Sequence, residues 1–196
     1  MRTITKNNIH NQYSIYNSHK MDKGSYQEIL QSIDDLLTTM TNRHNKVLFI
    51  RFDLTYPQNN SYPNDNALLS RFIETLQLHC KRRQLDPHYL WVREQASSDH
   101  HHYHFIFLLN GNKIQNPYGF FNKATDLWGK CLNVDTSGLV HYGTNLMIRR
   151  NSPEFNLTLQ GCFTGASYLA KAYSKGNAPP GVREMGMSNI SKWLFN

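Results

Sequence analysis

Two histidines one residue apart open the most apolar stretch of the chain, His102-Tyr103-His104-Phe105-Ile106-Phe107-Leu108-Leu109. Read as a strand, this stretch turns both imidazoles to one face with Ile106 and Leu108. Tyr103, Phe105 and Phe107 face the other way. Both faces are apolar beyond the histidines, as expected of an interior strand covered on both sides. Two imidazoles side by side at a strand end are placed to hold a divalent metal. The expected third ligand is Glu94, near the end of the preceding strand and roughly opposite the histidines. His100, which shares parity with His102, stands in reserve. A carboxylate with two imidazoles suits Mg²⁺ or Mn²⁺ and leaves positions open for a phosphate. The plainer expectation is a polar hairpin rim, with Glu94 a partner for Arg93 or Arg51. With 10 His among 196 residues, chance alone gives about half a His-x-His match per chain.

A second constellation is Tyr168-Leu169-Ala170-Lys171. A helix is expected from Gly161 to Lys175. On it Phe163, Ala166, Leu169 or Ala170, and Tyr173 form the apolar stripe. Thr164, Tyr168, Lys171 and Lys175 share another face. This register makes Tyr173 a core residue and sets Tyr168 beside two ammonium groups. A phenol, with a pKa of about 10, is a poor nucleophile until nearby charge or a polarised phosphate helps it. Lys171, one turn on, is expected to lower that pKa or to hold a phosphate. The competing expectation for Tyr168 is an ordinary surface tyrosine.

The elements that must position these residues follow from apolar spacing. Met1 to Gly24 is rich in Asn, Lys, Ser and His and reads as a loose polar arm. Ser25 and Glu28 have capping-box spacing for a helix carrying Ile29, Ile33, Leu36, Leu37 and Met40. A strand follows over Val47 to Thr55, with Arg51, Asp53 and Thr55 on one side of its end. After a Pro- and Asn-rich loop, Asp65 is placed to cap a helix carrying Leu68, Leu69, Phe72, Ile73, Leu76 and Leu78. Tyr89–Gln95 and His102–Leu109 read as a hairpin across residues 96–101. A helix is expected over Phe120 to Leu132 and a strand over Leu146 to Arg150. From about residue 176, with Pro179-Pro180-Gly181, the tail looks irregular. The order strand-helix-strand-strand-helix-strand is the split βαβ, ferredoxin-like plan of an α+β protein. In that plan the first and third strands are neighbours, so Arg51 and Asp53 would lie beside His102 and His104. Residues 25–196 are expected to form one domain on this plan.

The formal net charge of +7 suits a polyanionic partner. Lys81-Arg82-Arg83 and Arg149-Arg150 are its local clusters; Arg51, Lys175 and Arg183 complete the cations expected to meet phosphates. Cys80, Cys131 and Cys162 are odd in number and widely spaced, which points to reduced thiols. No run reaches the length of a membrane span, and Met1 to Lys20 has no apolar leader core. A cytoplasmic protein is the expectation. There is no Walker A loop.

Taken in order, these residues resemble the HUH endonuclease superfamily, named for His-hydrophobic-His. Within it the chain is similar to the gene-two-type replication proteins of filamentous phages (inoviruses) and their prophage-encoded relatives. The resemblance runs from about Val47 to Ser188. Arg51-Phe52-Asp53-Leu54-Thr55-Tyr56-Pro57 looks like the family's first strand motif. Trp91 to Gln95 looks like the strand bearing the acidic ligand, and His102 to His104 with Leu108-Leu109-Asn110-Gly111 like the HUH strand and its turn. Tyr168 to Lys171 looks like the nucleophile helix, and Arg183 to Ser188 like a basic Gly-Ser tail. The resemblance implies an HUH Rep-type fold and rolling-circle chemistry. Tyr168 would attack a DNA phosphodiester, free a 3′-hydroxyl for a polymerase and keep the 5′ end as a phosphotyrosine. Glu94, His102 and His104 would hold the metal. Single-stranded or nicked origin DNA would be the substrate, and a separate helicase would unwind it. Some relatives use two tyrosines one turn apart; here position 172 is Ala, which favours one nucleophile. The alternatives are a DNA-binding or regulatory protein that keeps the fold without cutting, and a metal nuclease that uses water.

Overall fold

The computed structural model describes residues 3–16, 23–58, 60–95, 100–135 and 138–190. Its frame is a five-stranded antiparallel sheet formed by β5 (Lys46–Leu54), β6 (His88–Glu94), β7 (His102–Asn110), β8 (Val140–Arg149) and β9 (Met185–Met187). The strands lie in the order β8-β5-β7-β6-β9. Helices α1 (Gln27–Arg43) and α4 (Phe155–Ser167) cover one face; α2 (Ala67–Arg82) and α3 (Tyr118–Leu132) cover the other. The fold is thus mixed α+β with antiparallel sheets. No helix among the described residues is long and apolar enough to cross a membrane.

Strand parity decides the two cores. Ile106 and Leu108 of β7 join Val47 and Phe49 of β5 under α1 and α4. Tyr103, Phe105 and Phe107 join Phe52 and Leu54 under α2 and α3. The rings interlock there, with Phe52 stacked on Phe105 at 4.8 Å. Each buried Phe or Leu removed from water contributes roughly 1.5–3 kcal/mol before chain entropy is set against it. Helix α1 buries Ile29, Ile33, Leu36, Leu37 and Met40, as its spacing predicts. In α2, Leu69, Phe72, Ile73 and Leu76 are buried while Leu78 points outward. Asp65 accepts the N–H of Ala67 at the start of α2. All three cysteines are free thiols.

Several expectations fail, each for a local reason. The arm is not loose where it is described. Short strands β1 (Ile4–Thr5), β2 (Ile9–His10), β3 (Tyr13–Ser14) and β4 (Ser25–Tyr26) pair as β1-β4 and β2-β3. Tyr13 and Ile15 are buried in the α1–α4 core, and Thr164 Oγ1 donates to the carbonyl of Ser14. Ser25 therefore sits in a strand, not at a helix cap, and Glu28 accepts the N–H of Thr3 instead. Strand β8 begins at Val140 rather than Leu146, because residues 141–145 are exposed on the sheet edge and carry no apolar signal. The tail is not wholly irregular: β9 adds to β6, with Gly186 opposite Trp91. A side chain at Gly186 would meet the Trp91 ring at 2.7 Å, which is why a residue without Cβ stands there.

The largest departure concerns the helix expected from Gly161 to Lys175. It starts earlier, at Phe155, and ends at Ser167. Tyr168–Ala170 form a single 3-10 turn. Lys171 is already extended and bridges Ser25 of β4. The face shared by Tyr168, Lys171 and Lys175 on a continuous helix does not exist. Tyr173, expected in the core, is 49% exposed.

Candidate metal and nucleophile site

The site forms at one end of the sheet because three strands end there in register. Asp53 pairs with His104 across β5 and β7, and Glu94 with His102 across β6 and β7. Antiparallel pairing and period-two alternation place Asp53, His102 and His104 on the α1–α4 face. His104 Nε2 lies 3.1 Å from Glu94 Oε2, and His102 Nε2 lies 3.8 Å from the same oxygen. Ligand atoms of Glu94, His102 and His104 all fall within 4.8 Å of one another. This is the trio that the sequence singles out. His100 is not part of it; its ring lies 6.1 Å from the rings of Tyr56 and Tyr62, among the aromatic side chains by the loop before α2.

Asp53 is a member that the list of candidate ligands omits. Its Oδ1 is 2.7 Å from His104 Nδ1, an ion-pair distance whose angle is poor for a hydrogen bond. A carboxylate behind the far nitrogen of an imidazole fixes the ring and leaves Nε2 for a ligand. The signal for Asp53 was present in the sequence: alternation in the first strand, and its adjacency to the third.

Glu94 is buried, and its charge is compensated several times over. Lys171 Nζ donates to Oε2, Ser174 Oγ donates to Oε2 at 2.7 Å and Lys175 Nζ donates to Oε1 at 2.7 Å. Burial alone would raise the Glu94 pKa. His104, Lys175 and Lys171 outweigh it, and the carboxyl is held well below its usual range. Burial and the neighbouring His104 push His102 down to about 4, which leaves its imidazole neutral and able to donate a lone pair at pH 7. His104 moves the other way: burial opposes its charge, but Asp53 and Glu94 on either side raise its pKa. Burial pushes Lys175 down to about 8 despite Glu94.

Lys175 was expected to face DNA. Its side chain is 0% exposed and its ammonium also donates to the carbonyl of Lys171. The end of α4 at Ser167 explains this. The chain leaves the helix and turns in, so that Lys171, Ser174 and Lys175 converge on Glu94.

Tyr168 lies beside the histidines. Its ring centroid is 6.0 Å from that of His104 and 5.5 Å from that of Tyr16. Lys171 Nζ sits 3.8 Å from the ring centroid and the Arg51 guanidinium carbon 5.3 Å. Cations over a phenol ring are attracted by its π face. Arg51 also approaches Asp53 at 3.9 Å. A bulge in the β5–β8 pairing between Ile50 and Phe52 brackets Arg51, a common device for re-aiming a side chain next to a site.

On the other face, buried Arg93 binds the loop before α2, donating to the carbonyl of Asp65 and to Asn66 Oδ1. No ion pair joins it to Glu94 among the described residues. Arg183 is exposed at the same end as the site, where its carbonyl accepts from Asn66 Nδ2. Lys81, Arg82, Arg83, Arg149 and Arg150 are also exposed, but at the opposite end of the sheet. Lys46 pairs with Arg149, and Asp53 lies seven strand residues further on, which is about 23 Å.

The donor set fits a divalent metal: two imidazoles, one carboxylate and a second carboxylate fixing one ring. Glu94, His102 and His104 would hold it. It would supply a Lewis acid for a phosphate oxygen.

Fold and site together define an α+β domain that gathers two histidines, a glutamate and a tyrosine at one end of an antiparallel sheet. The chain belongs to the YagK/YfjJ C-terminal domain family, whose model matches residues 5–188. It is 28% identical to the uncharacterized protein YagK of Escherichia coli (strain K12) over 195 residues, covering 83% of this chain and 93% of that protein. No solved structure matches.

Proposed function

We propose that this domain is a metal-dependent DNA nicking and joining enzyme of the HUH type, with Tyr168 as nucleophile. One observation carries the reading: Glu94, His102 and His104 converge within 4.8 Å, and the Tyr168 ring lies 6.0 Å from His104. The strand order supports it. Numbered within the split βαβ unit, β8-β5-β7-β6 is the order 4-1-3-2 of the ferredoxin-like plan. The substrate is single-stranded or nicked DNA at an origin of a phage or prophage element, and Mg²⁺ or Mn²⁺ is the metal. Arg51 and Lys171 flank the Tyr168 ring, where they meet the charge of a phosphate. The Tyr168 hydroxyl oxygen attacks phosphorus and gives up its proton, the P–O bond to the 3′-oxygen breaks and that oxygen takes up a proton as a 3′-hydroxyl, and the 5′ end stays on Tyr168. The reverse step, with a 3′-hydroxyl as attacker, rejoins the strand. A polymerase extends the free 3′ end and a separate helicase opens the duplex. This chemistry belongs in the cytoplasm.

A second reading, a DNA-binding protein that does not cut, is favoured by a different observation. Both oxygens of Glu94 already meet lysine ammonium groups, so its charge is satisfied without a metal. Incubating the protein with a pool of single-stranded oligonucleotides and Mn²⁺ separates the readings on a denaturing gel. A covalent protein–DNA band supports the tyrosine enzyme. Cut DNA without that band means water is the nucleophile, and binding without cutting means the non-catalytic protein.

A further inference from the structure

The chain's basic clusters do not surround the candidate site; they meet at the other end of the sheet. Lys81, Arg82 and Arg83 close α2. Leu85, two residues on, accepts the N–H of Asn110 at the end of β7. Arg149 ends β8 opposite Lys46, and the Arg150 N–H donates to the carbonyl of Asn45. Lys113 follows the turn after β7, where the Gly111 N–H donates to the carbonyl of Lys46. Strand pairing therefore gathers cations from sequence positions 46 to 150 on one end of the molecule. All are exposed except the half-buried Lys46. None of them forms an ion pair with a carboxylate among the described residues.

Carboxylates at this end include Glu154 and Asp86. Glu154 is exposed at the start of α4. Asp86 is already engaged by Arg43 at 2.8 Å and His44 at 2.7 Å. A cavity of about 920 Å³ opens at this end, and Lys81, Arg43 and Lys113 are among its lining residues, with Asp86 the one acidic group there. An ordinary solvated face intersperses both signs of charge. Here like charges crowd together with little compensation, while the candidate site at the other end balances its own carboxylates with its own cations.

We propose that this end of the sheet is a second, separate nucleic-acid contact, one that takes the phosphate backbone about 23 Å from the Tyr168 site. At 3.4 Å per step that distance equals about seven base-pair steps. The protein would hold a flanking stretch of backbone at the basic end while the reactive strand lies at the other. The inference uses the placement of the cations and stands whether or not Tyr168 cuts.

The test compares four proteins: wild type, the variant Arg82→Ala/Arg83→Ala/Arg149→Ala/Arg150→Ala, His102→Ala and Tyr168→Phe. Fluorescence anisotropy is measured over a salt series with a single-stranded oligonucleotide, its duplex and, separately, phosphatidylserine vesicles. Mn²⁺ binding is followed by calorimetry. The four-alanine variant should lose roughly tenfold or more in oligonucleotide affinity. Its slope of log K against log salt should flatten by up to about 3.6 on duplex or about 2.8 on single strand. The form whose affinity falls more in the four-alanine variant is the one held. Mn²⁺ binding should be unchanged in that variant, whereas His102→Ala should lose Mn²⁺ and keep the salt slope. Unchanged affinity and slope in the four-alanine variant would overturn the proposal. So would a loss confined to vesicles, which would make the surface a lipid contact. If this pattern is seen and no covalent adduct forms with any protein, the second contact stands and the nicking reading falls. If an adduct forms and Tyr168→Phe abolishes it, while the basic end has no effect, the reverse holds.

Discussion

Replacing Lys175 by Met tests the most unexpected contact in the site. The ammonium is fully buried and donates to Glu94 Oε1 at 2.7 Å and to the carbonyl of Lys171 at 2.8 Å. Met is of similar length and removes only the charge and the donor. Breaking one partner out of a buried ion pair costs about 3–5 kcal/mol when the other charge is left alone. Glu94 is not left alone, since Lys171, Ser174 and His104 still meet Oε2. A cost at or just below the bottom of that range, about 2–3 kcal/mol, is therefore expected. In a domain of this size each kcal/mol moves Tm by about 2–4 °C, so Tm should fall by about 4–12 °C. The assay is thermal unfolding by circular dichroism, with and without Mn²⁺. Added metal should restore part of the loss, because a freed carboxylate oxygen binds a cation better; saturation at a hundred times Kd is worth about 2.7 kcal/mol. A fall below about 2 °C would refute the buried pair and return Lys175 to the exposed face that helical periodicity predicts. Tyr173→Phe is the control and should leave Tm unchanged, since that ring is exposed.

Other outcomes follow from the same geometry. Gly186→Ala places a Cβ 2.7 Å from the Trp91 ring and should cost about 1–3 kcal/mol by urea unfolding, with β9 the first segment to lose amide protection. Asp86→Asn keeps a residue suited to the left-handed backbone there, φ 46°, and removes the charge. His88, His44 and Arg43 hold the Asp86 pKa below the usual value against the effect of burial. The stabilisation is therefore present above the unfolded pKa, about 3.9, and is lost as pH falls through the lower folded value. Wild type should exceed the variant in stability from pH 5 to 7, and urea midpoints should converge as the solution is acidified below that window. Lys171→Ala should slow adduct formation without abolishing it, measured as single-turnover rate, because Arg51 still flanks the Tyr168 ring.

How much of this was legible in the chain depended on what each element buries. The central strands were readable because Val47 to Ile50 and Tyr103 to Leu109 are buried on both faces and their patterns admit little else. Their adjacency, which puts Asp53 against His104, followed from the order of elements alone. The edge strand β8 was only half visible, since Tyr142 to Asn145 face water and carry no apolar alternation. The arm hid its two small pairings behind polar composition, although Tyr13 and Ile15 anchor it. The helix after Phe155 misled most. Apolar spacing from Phe163 to Leu169 was real and is buried, but periodicity cannot see that a buried Glu94 on another strand draws Lys171, Ser174 and Lys175 out of helical register. Tyr168 came out beside the histidines, by a 3-10 turn rather than by the helical face expected of it.

The central claim is that Tyr168 takes a DNA 5′ phosphate at a site organised by Glu94, His102 and His104. The most direct measurement is peptide mapping of the protein after reaction with a single-stranded oligonucleotide and Mn²⁺, the DNA then being digested to its linked nucleotide. One modified peptide is expected, with the mass of the linked nucleotide on Tyr168, absent from Tyr168→Phe and from His104→Ala. Modification of Tyr173 or another residue, or cleaved DNA with no modified peptide at all, would contradict it.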